Sequence, residues 1–171
     1  MEDNKIKDKI RALLASGSIS DLTEAINKIN EIAMPEFLPD LALAFSKNKD
    51  HEVRTQITSI FNNLKHKKAI PVLISIINNV KEAECLNMLV SASWQCGLDF
   101  SEHINVFIPL LLSEDFILAF DAYTVIENNI DFMDKSKADA AKILLKKIHT
   151  KLPEKIEKLY DGLIEQLDSV S

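Results

Sequence analysis

Histidines, cysteines and clustered carboxylates are the side chains here that could hold a metal, attack a substrate or move a proton, and their spacing decides which of these they can do. His51, His66, His103 and His149 fall on different predicted elements, and no HExxH, CxxC or His/Cys cluster provides zinc-ligand spacing. Cys85 and Cys96 share one predicted helix, roughly 16 Å apart along its axis, whereas a disulfide spans about 7 Å between Cα atoms. Both lie on that helix's apolar stripe with Leu89, Ala92 and Ser93, so they read as small buried hydrophobes rather than reactive thiols. Three scattered glycines cannot build a phosphate-cradling loop, and no G-x-S-x-G turn presents a nucleophilic serine. The acid pairs Glu82/Glu84 and Glu114/Asp115 each stand at a helix start, where unpaired N–H groups favour a carboxylate, and capping is their expected role. Asp121 and the Glu127-Asn128-Asn129 run have no base and nucleophile beside them. No catalytic residue, cofactor site or metal ligand is therefore assigned, and the chain is expected not to be an enzyme.

One short stretch is denser in unusual residues. SASWQCGLDF, residues 91–100, carries the single tryptophan, one cysteine and one glycine. At 100° per residue, Trp94 lies about 140° from the centre of the apolar stripe, on the side of Asn87 and Val90. It is either a ring packed between neighbouring helices or an exposed aromatic of the kind enriched at interfaces. Gly97 follows the last periodic position and fits a C-cap glycine. Leu98 and Phe100 return the chain to the core, and Ser101 is expected to cap the next helix.

The elements that must position these residues are helical. Of the 171 residues, 47% are apolar and only three are glycine, too few for the turns of an all-β protein. A chain of this length buries roughly 70% of its unfolded surface, enough for a substantial core. A net charge of −6 removes the main driving term for binding a phosphate backbone. The basic runs Lys5/Lys7/Lys9/Arg11 and Lys65–Lys68 read as solvated surface. MEDNKIKDKIRALL lacks the apolar run of a signal peptide, and no stretch reaches the ~18 apolar residues of a membrane span. A reduced, cytoplasmic protein without membrane or nucleic-acid partners is the expectation.

Helical periodicity runs nearly throughout. Ile6, Ile10 and Leu13 mark a first helix, and Asp21 to Ala33 a second with Ser20 as its N-cap. PEFLPDLALAF then pairs with DHEVRTQITSIFNNL, AIPVLISIINN with ECLNMLVSASWQC, and HINVFIPLLL with FILAFDAYTVIENNI. Two more amphipathic helices follow at 136–150 and 153–168. The last carries Glu154, Lys155, Glu157, Lys158, Asp161 and Glu165 around its apolar stripe, which suits a solvated end and a monomer.

Asp50-His51-Glu52-Val53-Arg54 is similar to the D-x-x-V-R start of the second helix in HEAT repeats, and Ala69-Ile70-Pro71-Val72-Leu73 to the A-I-P-x-L start of the first. The resemblance covers residues 35–130. In the third unit Asp115-Phe116-Ile117-Leu118 departs from it by having no arginine. It implies an all-α, short right-handed α-solenoid of about four to five helix pairs. Residues 1–33 would cap one end, 35–130 form three units, and 136–168 cap the other, all within one domain, 1–171. Second helices line the concave face in this family. That would present Gln56, Asn63, Asn87, Ser91, Trp94, Gln95, Asp121 and Asn128 to a protein or peptide, and the acidic charge favours a basic one. The expected function is a non-enzymatic interaction scaffold. HEAT-like folds also resemble DNA glycosylases for alkylated bases, where Trp94 and Asp121 would have to serve, and HEAT-like bilin lyases that handle a small molecule.

Overall fold

The computed structural model describes residues 2–32 and 35–171, and these are all-α. The α-helices are α1 (Glu2–Ser16), α2 (Ile19–Ile32), α3 (Leu38–Lys47), α4 (His51–Asn62), α5 (Ala69–Asn79), α6 (Ala83–Gln95), α7 (Ile104–Phe107), α8 (Phe116–Asn128), α9 (Lys135–Ile148) and α10 (Glu154–Asp168). Short 3-10 turns link several of them, and no strand occurs among the described residues. No described helix is long and apolar enough to cross a membrane. The chain forms two compact units, Met1–Leu89 and Val90–Ser171, and the division falls within α6.

In the first unit α1 packs on α2 and α3 on α4, while α1 also touches α3, α3 touches α5, and α2 touches α4. First helices thus meet first helices, and second helices meet second. Their shared core is apolar and close-packed, with Ile10, Ile29, Phe37, Leu41, Ile57 and Phe61 at most 2% exposed. The second unit repeats the habit: α7 packs on α8, α9 on α10, α7 touches α9, and α8 touches α10. Phe100 and Phe107 meet edge to face at 5.9 Å in its core, where Leu111, Val125 and Leu145 are also buried.

Several helix ends differ from expectation for local reasons. α2 starts at Ile19, and Ser18 Oγ accepts the Asp21 N–H at 3.4 Å, so Ser18 rather than Ser20 occupies the capping position. The expected end of that helix at Ala33 lies outside the described residues. HINVFIPLLL forms a single turn of α-helix, α7, followed by a 3-10 stretch over Ile108–Leu112. Pro109 sits five residues beyond Ile104, where its missing N–H interrupts the α-helical ladder. Pro39 and Pro71 fall in the first turns of α3 and α5, where the N–H has no intrahelical partner to lose. Ser101 does not cap: it is buried in a 3-10 turn, and Asp99 Oδ1 accepts its N–H at 2.9 Å. Gly97 has φ +67° with nothing within 4 Å of where a Cβ would stand, so the left-handed backbone, not lack of space, selects glycine there.

Candidate partner-binding surface

Among the described residues, α8 carries the largest cluster of exposed large apolar side chains on one helix. Asp115 opens it, its Oδ1 accepting the Ile117 N–H at 2.9 Å and the Leu118 N–H at 3.4 Å. Leu118, Ala119, Ala122, Val125 and Ile126 face the core, while Phe116, Ile117 and Phe120 stay 42%, 66% and 43% exposed. Positions 116, 120 and 123 share one helical face, so their rings form a ladder. Phe116 stacks on Phe120 at 5.6 Å, and Phe120 on Tyr123 at 6.0 Å. The Tyr123 hydroxyl donates to Glu127 Oε1 at 2.9 Å, and Gln166 Nε2 of α10 donates to the same oxygen at 3.2 Å. Burial and the adjacent carboxylate push the Tyr123 phenol up to about 12, so it remains a neutral donor across the physiological range.

Trp94 belongs to the same unit. It is half-buried, and its Nε1 donates to Asp121 Oδ1 of α8 at 2.9 Å. The ring is thus neither swallowed by the core nor loose on the surface. Its polar edge is fixed to a carboxylate, which holds part of the aromatic surface beside the outer face of α8.

The remaining members of the expected row are distributed between the two units. Gln56, Asn63 and Asn87 lie in the first; Ser91, Gln95 and Asn128 lie with Trp94 and Asp121 in the second. Several bond along their own helices. Gln56 Nε2 reaches Glu52 at 3.5 Å, Asn63 Nδ2 donates to Ser59 O at 2.8 Å, and Gln95 Nε2 donates to Ser91 Oγ at 2.8 Å. Asn128 is exposed at the end of α8.

Phe116, Ile117 and Phe120 were not among the expected site residues. FILAF is apolar at every position, so it shows no polar side from which an outward face could be read. The usable signal was that excess: a helix with more apolar positions than one core stripe accommodates must expose some.

In the first unit, a groove of about 720 Å³ runs between α3 and α5, lined by Pro39, Ala42, Leu43, Val72, Ser75 and Ile76. It too lay outside the expected row, because it forms between first helices. The Asp50–Arg54 segment behaves as a clamp. Asp50 Oδ1 accepts the Val53 N–H at 3.0 Å, and Arg54 lies over the Phe45 ring at 4.4 Å. Arg54 Nε donates to Asn48 O at 2.7 Å, and Nη1 pairs with Glu84 at 2.6 Å. Arg54 and Lys49 together hold the Glu84 carboxyl down to about 2. Glu84 therefore bridges helices instead of capping, and Glu82 takes the cap, its Oε2 accepting the Cys85 N–H at 2.7 Å.

Cys85 and Cys96 are both buried and do not form a disulfide, and burial pushes the Cys85 thiol above its ordinary range. Among the described residues no group of three His, Cys, Asp or Glu side chains could hold a metal ion. No protein-family model matches the chain, and no curated protein matches it significantly.

Proposed function

We propose that the chain is a short HEAT-like α-solenoid and serves as a non-enzymatic scaffold that binds a protein or peptide. The repeat reading is supported by the packing habit of each unit, in which first helices meet first and second meet second. It is also supported by the Arg54–Glu84 clamp at the D-x-x-V-R segment. The binding reading rests on one observation: Phe116, Ile117 and Phe120 stand exposed side by side on α8, next to the hydrogen-bonded Trp94–Asp121 pair. Clustered apolar exposure without a core to fill is the mark of a contact surface, and rigid aromatics are efficient contacts because little entropy is lost on binding them. A monomeric, cytoplasmic setting is part of the same proposal; the charged last helix and the two buried cysteines are in keeping with it.

The test is differential capture from native lysate with the wild-type chain and the Ile117→Ser/Phe120→Ser double variant, with helical circular dichroism and melting temperature matched between them. A protein retained by the first and lost by the second supports the scaffold. If every captured protein is retained equally by both, α8 is not a binding surface.

A further inference from the structure

The exposed face of α8 sits in an unbroken acidic stretch. Residues 113–134 contain Glu114, Asp115, Asp121, Glu127, Asp131 and Asp134 and no lysine or arginine. Apolar and aromatic side chains embedded in one sign of charge recognise the opposite sign joined to apolar groups, because each term alone is weak on an exposed helix.

The chain supplies an internal example of the contact. Lys155 of α10 places its Nζ over the Phe116 ring, 4.8 Å from the centroid. An ammonium above an aromatic face is drawn by the ring quadrupole, and it shows which group this ladder accepts. Phe120 is the next rung, 43% exposed, and among the described residues no cation stands over it. Asp121 follows directly in sequence, its carboxylate positioned by Trp94. The Thr124 hydroxyl donates to Phe120 O at 2.9 Å, so it is satisfied within the helix. Ile117, at 66% exposure, adds an aliphatic contact beside the rings.

We propose that this face docks a basic amphipathic segment of a partner protein, with a lysine or arginine over Phe120 and apolar side chains over Ile117 and the rim of Phe116. The proposal rests on the scaffold reading and specifies its partner. Phe116, Ile117 and Phe120 stand along the outside of one helix, which suits a chain segment laid against it with anchors at helical spacing. Lys155 already occupies the Phe116 end, so the partner's cation belongs at the Phe120 end. An acidic segment meets the carboxylates of 113–134 and is repelled.

The probes are three labelled synthetic peptides of about 18 residues, or five helical turns. One is an amphipathic Leu/Lys helix, one its Leu/Glu counterpart, and one has the Leu/Lys composition scrambled to destroy the apolar face. Binding to the full chain is read by fluorescence anisotropy, and engagement of α8 by the emission of Trp94. The Leu/Lys helix is expected to bind, weakening as salt is raised; the Leu/Glu helix is not, and the scrambled peptide binds at least tenfold more weakly. Phe120→Leu keeps the apolar contact but loses the ring face and should weaken binding about threefold, the size of one exposed cation–π contact. Equal binding of ordered and scrambled peptides, or binding unchanged in both Phe120→Leu and Ile117→Ser, overturns the proposal. The scaffold reading fails separately. A captured protein that depends on Ile117 and Phe120 but is not displaced by the Leu/Lys peptide leaves the scaffold standing and removes the basic-segment assignment. If no captured protein depends on them, α8 is not a binding surface, and the scaffold reading loses the observation it rests on.

Discussion

α4 and α8 begin and end alike and are held by different forces. Each starts with an aspartate whose carboxylate accepts the N–H three residues on, from Asp50 to Val53 and from Asp115 to Leu118. Each ends with an asparagine that donates to the carbonyl four residues back, Asn63 to Ser59 and Asn129 to Val125. Between them the next position differs. Arg54 in α4 lies on Phe45 and pairs with Glu84, whereas Ala119 in α8 is fully buried. One helix is fastened by a charge clamp at its surface and the other by close packing. The packed fastening needs no polar network around the start of α8, and that is where Phe116 and Ile117 are exposed.

Giving α8 the arginine of α4 should be the most damaging single change. Ala119→Arg forces a guanidinium into a filled core without a partner, and a loss of more than ~3 kcal/mol in urea denaturation is expected. Arg54→Met, which keeps the stem over Phe45 and leaves an exposed Glu84, should cost far less. Near-equal losses from the two would mean that Ala119 is not tightly packed.

The two asparagines differ in the same way, one buried and one exposed. Asn129 is 2% exposed and its Oδ1 also accepts the buried Phe100 N–H at 2.6 Å. Asn129→Ala leaves that N–H unpaired and should cost about 2 kcal/mol, while Asn63→Ala at an exposed helix end should change stability by less than about 0.5 kcal/mol. Differential scanning calorimetry of both variants reads the difference directly.

The caps should behave alike where the rest does not. Asp50→Ala and Asp115→Ala each remove one N-cap and are expected to cost about 1 kcal/mol by thermal melting. A much larger loss at Asp50 would show that the cap and the Arg54 clamp act as one unit.

The smallest effect is the pH dependence of the clamp. Arg54 and Lys49 depress the Glu84 carboxyl from 4.5 to about 2 in the folded protein. The resulting stabilisation is present above pH 4.5 and is lost as pH falls through the folded value near 2. Solvent exposure keeps it small, and salt should reduce it further. Denaturation midpoints of the wild type and Glu84→Gln are therefore expected to differ at pH 6 and to converge towards pH 2.

Helix identity was legible where apolar residues recur with one clear face. The Asp21, His51 and Ala69 segments fall in helices close to their expected bounds, whereas PEFLPDLALAF, expected to be helical from Pro35, opens with a 3-10 turn over Pro35–Phe37 before α3 begins at Leu38. Gly97 was legible as a stop because a left-handed residue is needed there whatever surrounds it. The starts of α2 and of the Ser101 segment were misassigned because serine and aspartate compete for neighbouring caps. Ser18 stands two residues before Ser20 and Asp99 two before Ser101, and in each case the earlier side chain is the one that accepts a backbone N–H. The α7 interruption was written in Pro109 but needs the distance from the helix start to be read correctly. Of the expected row, Trp94 and Asp121 proved to be bonded to each other, a pairing across 27 positions that no periodicity predicts. The FILAF ladder was hidden because an all-apolar helix gives no direction.

The neighbour-to-neighbour packing inside each unit also governs how the chain reaches its structure. Within a unit the principal contacts join α-helices that are neighbours or next-but-one neighbours along the chain, so they close over short stretches of sequence. A chain of low contact order does not wait for distant segments to meet before gaining energy, and domains of this type fold in microseconds to milliseconds. Each helix hairpin can begin to form as soon as its two segments have been synthesised.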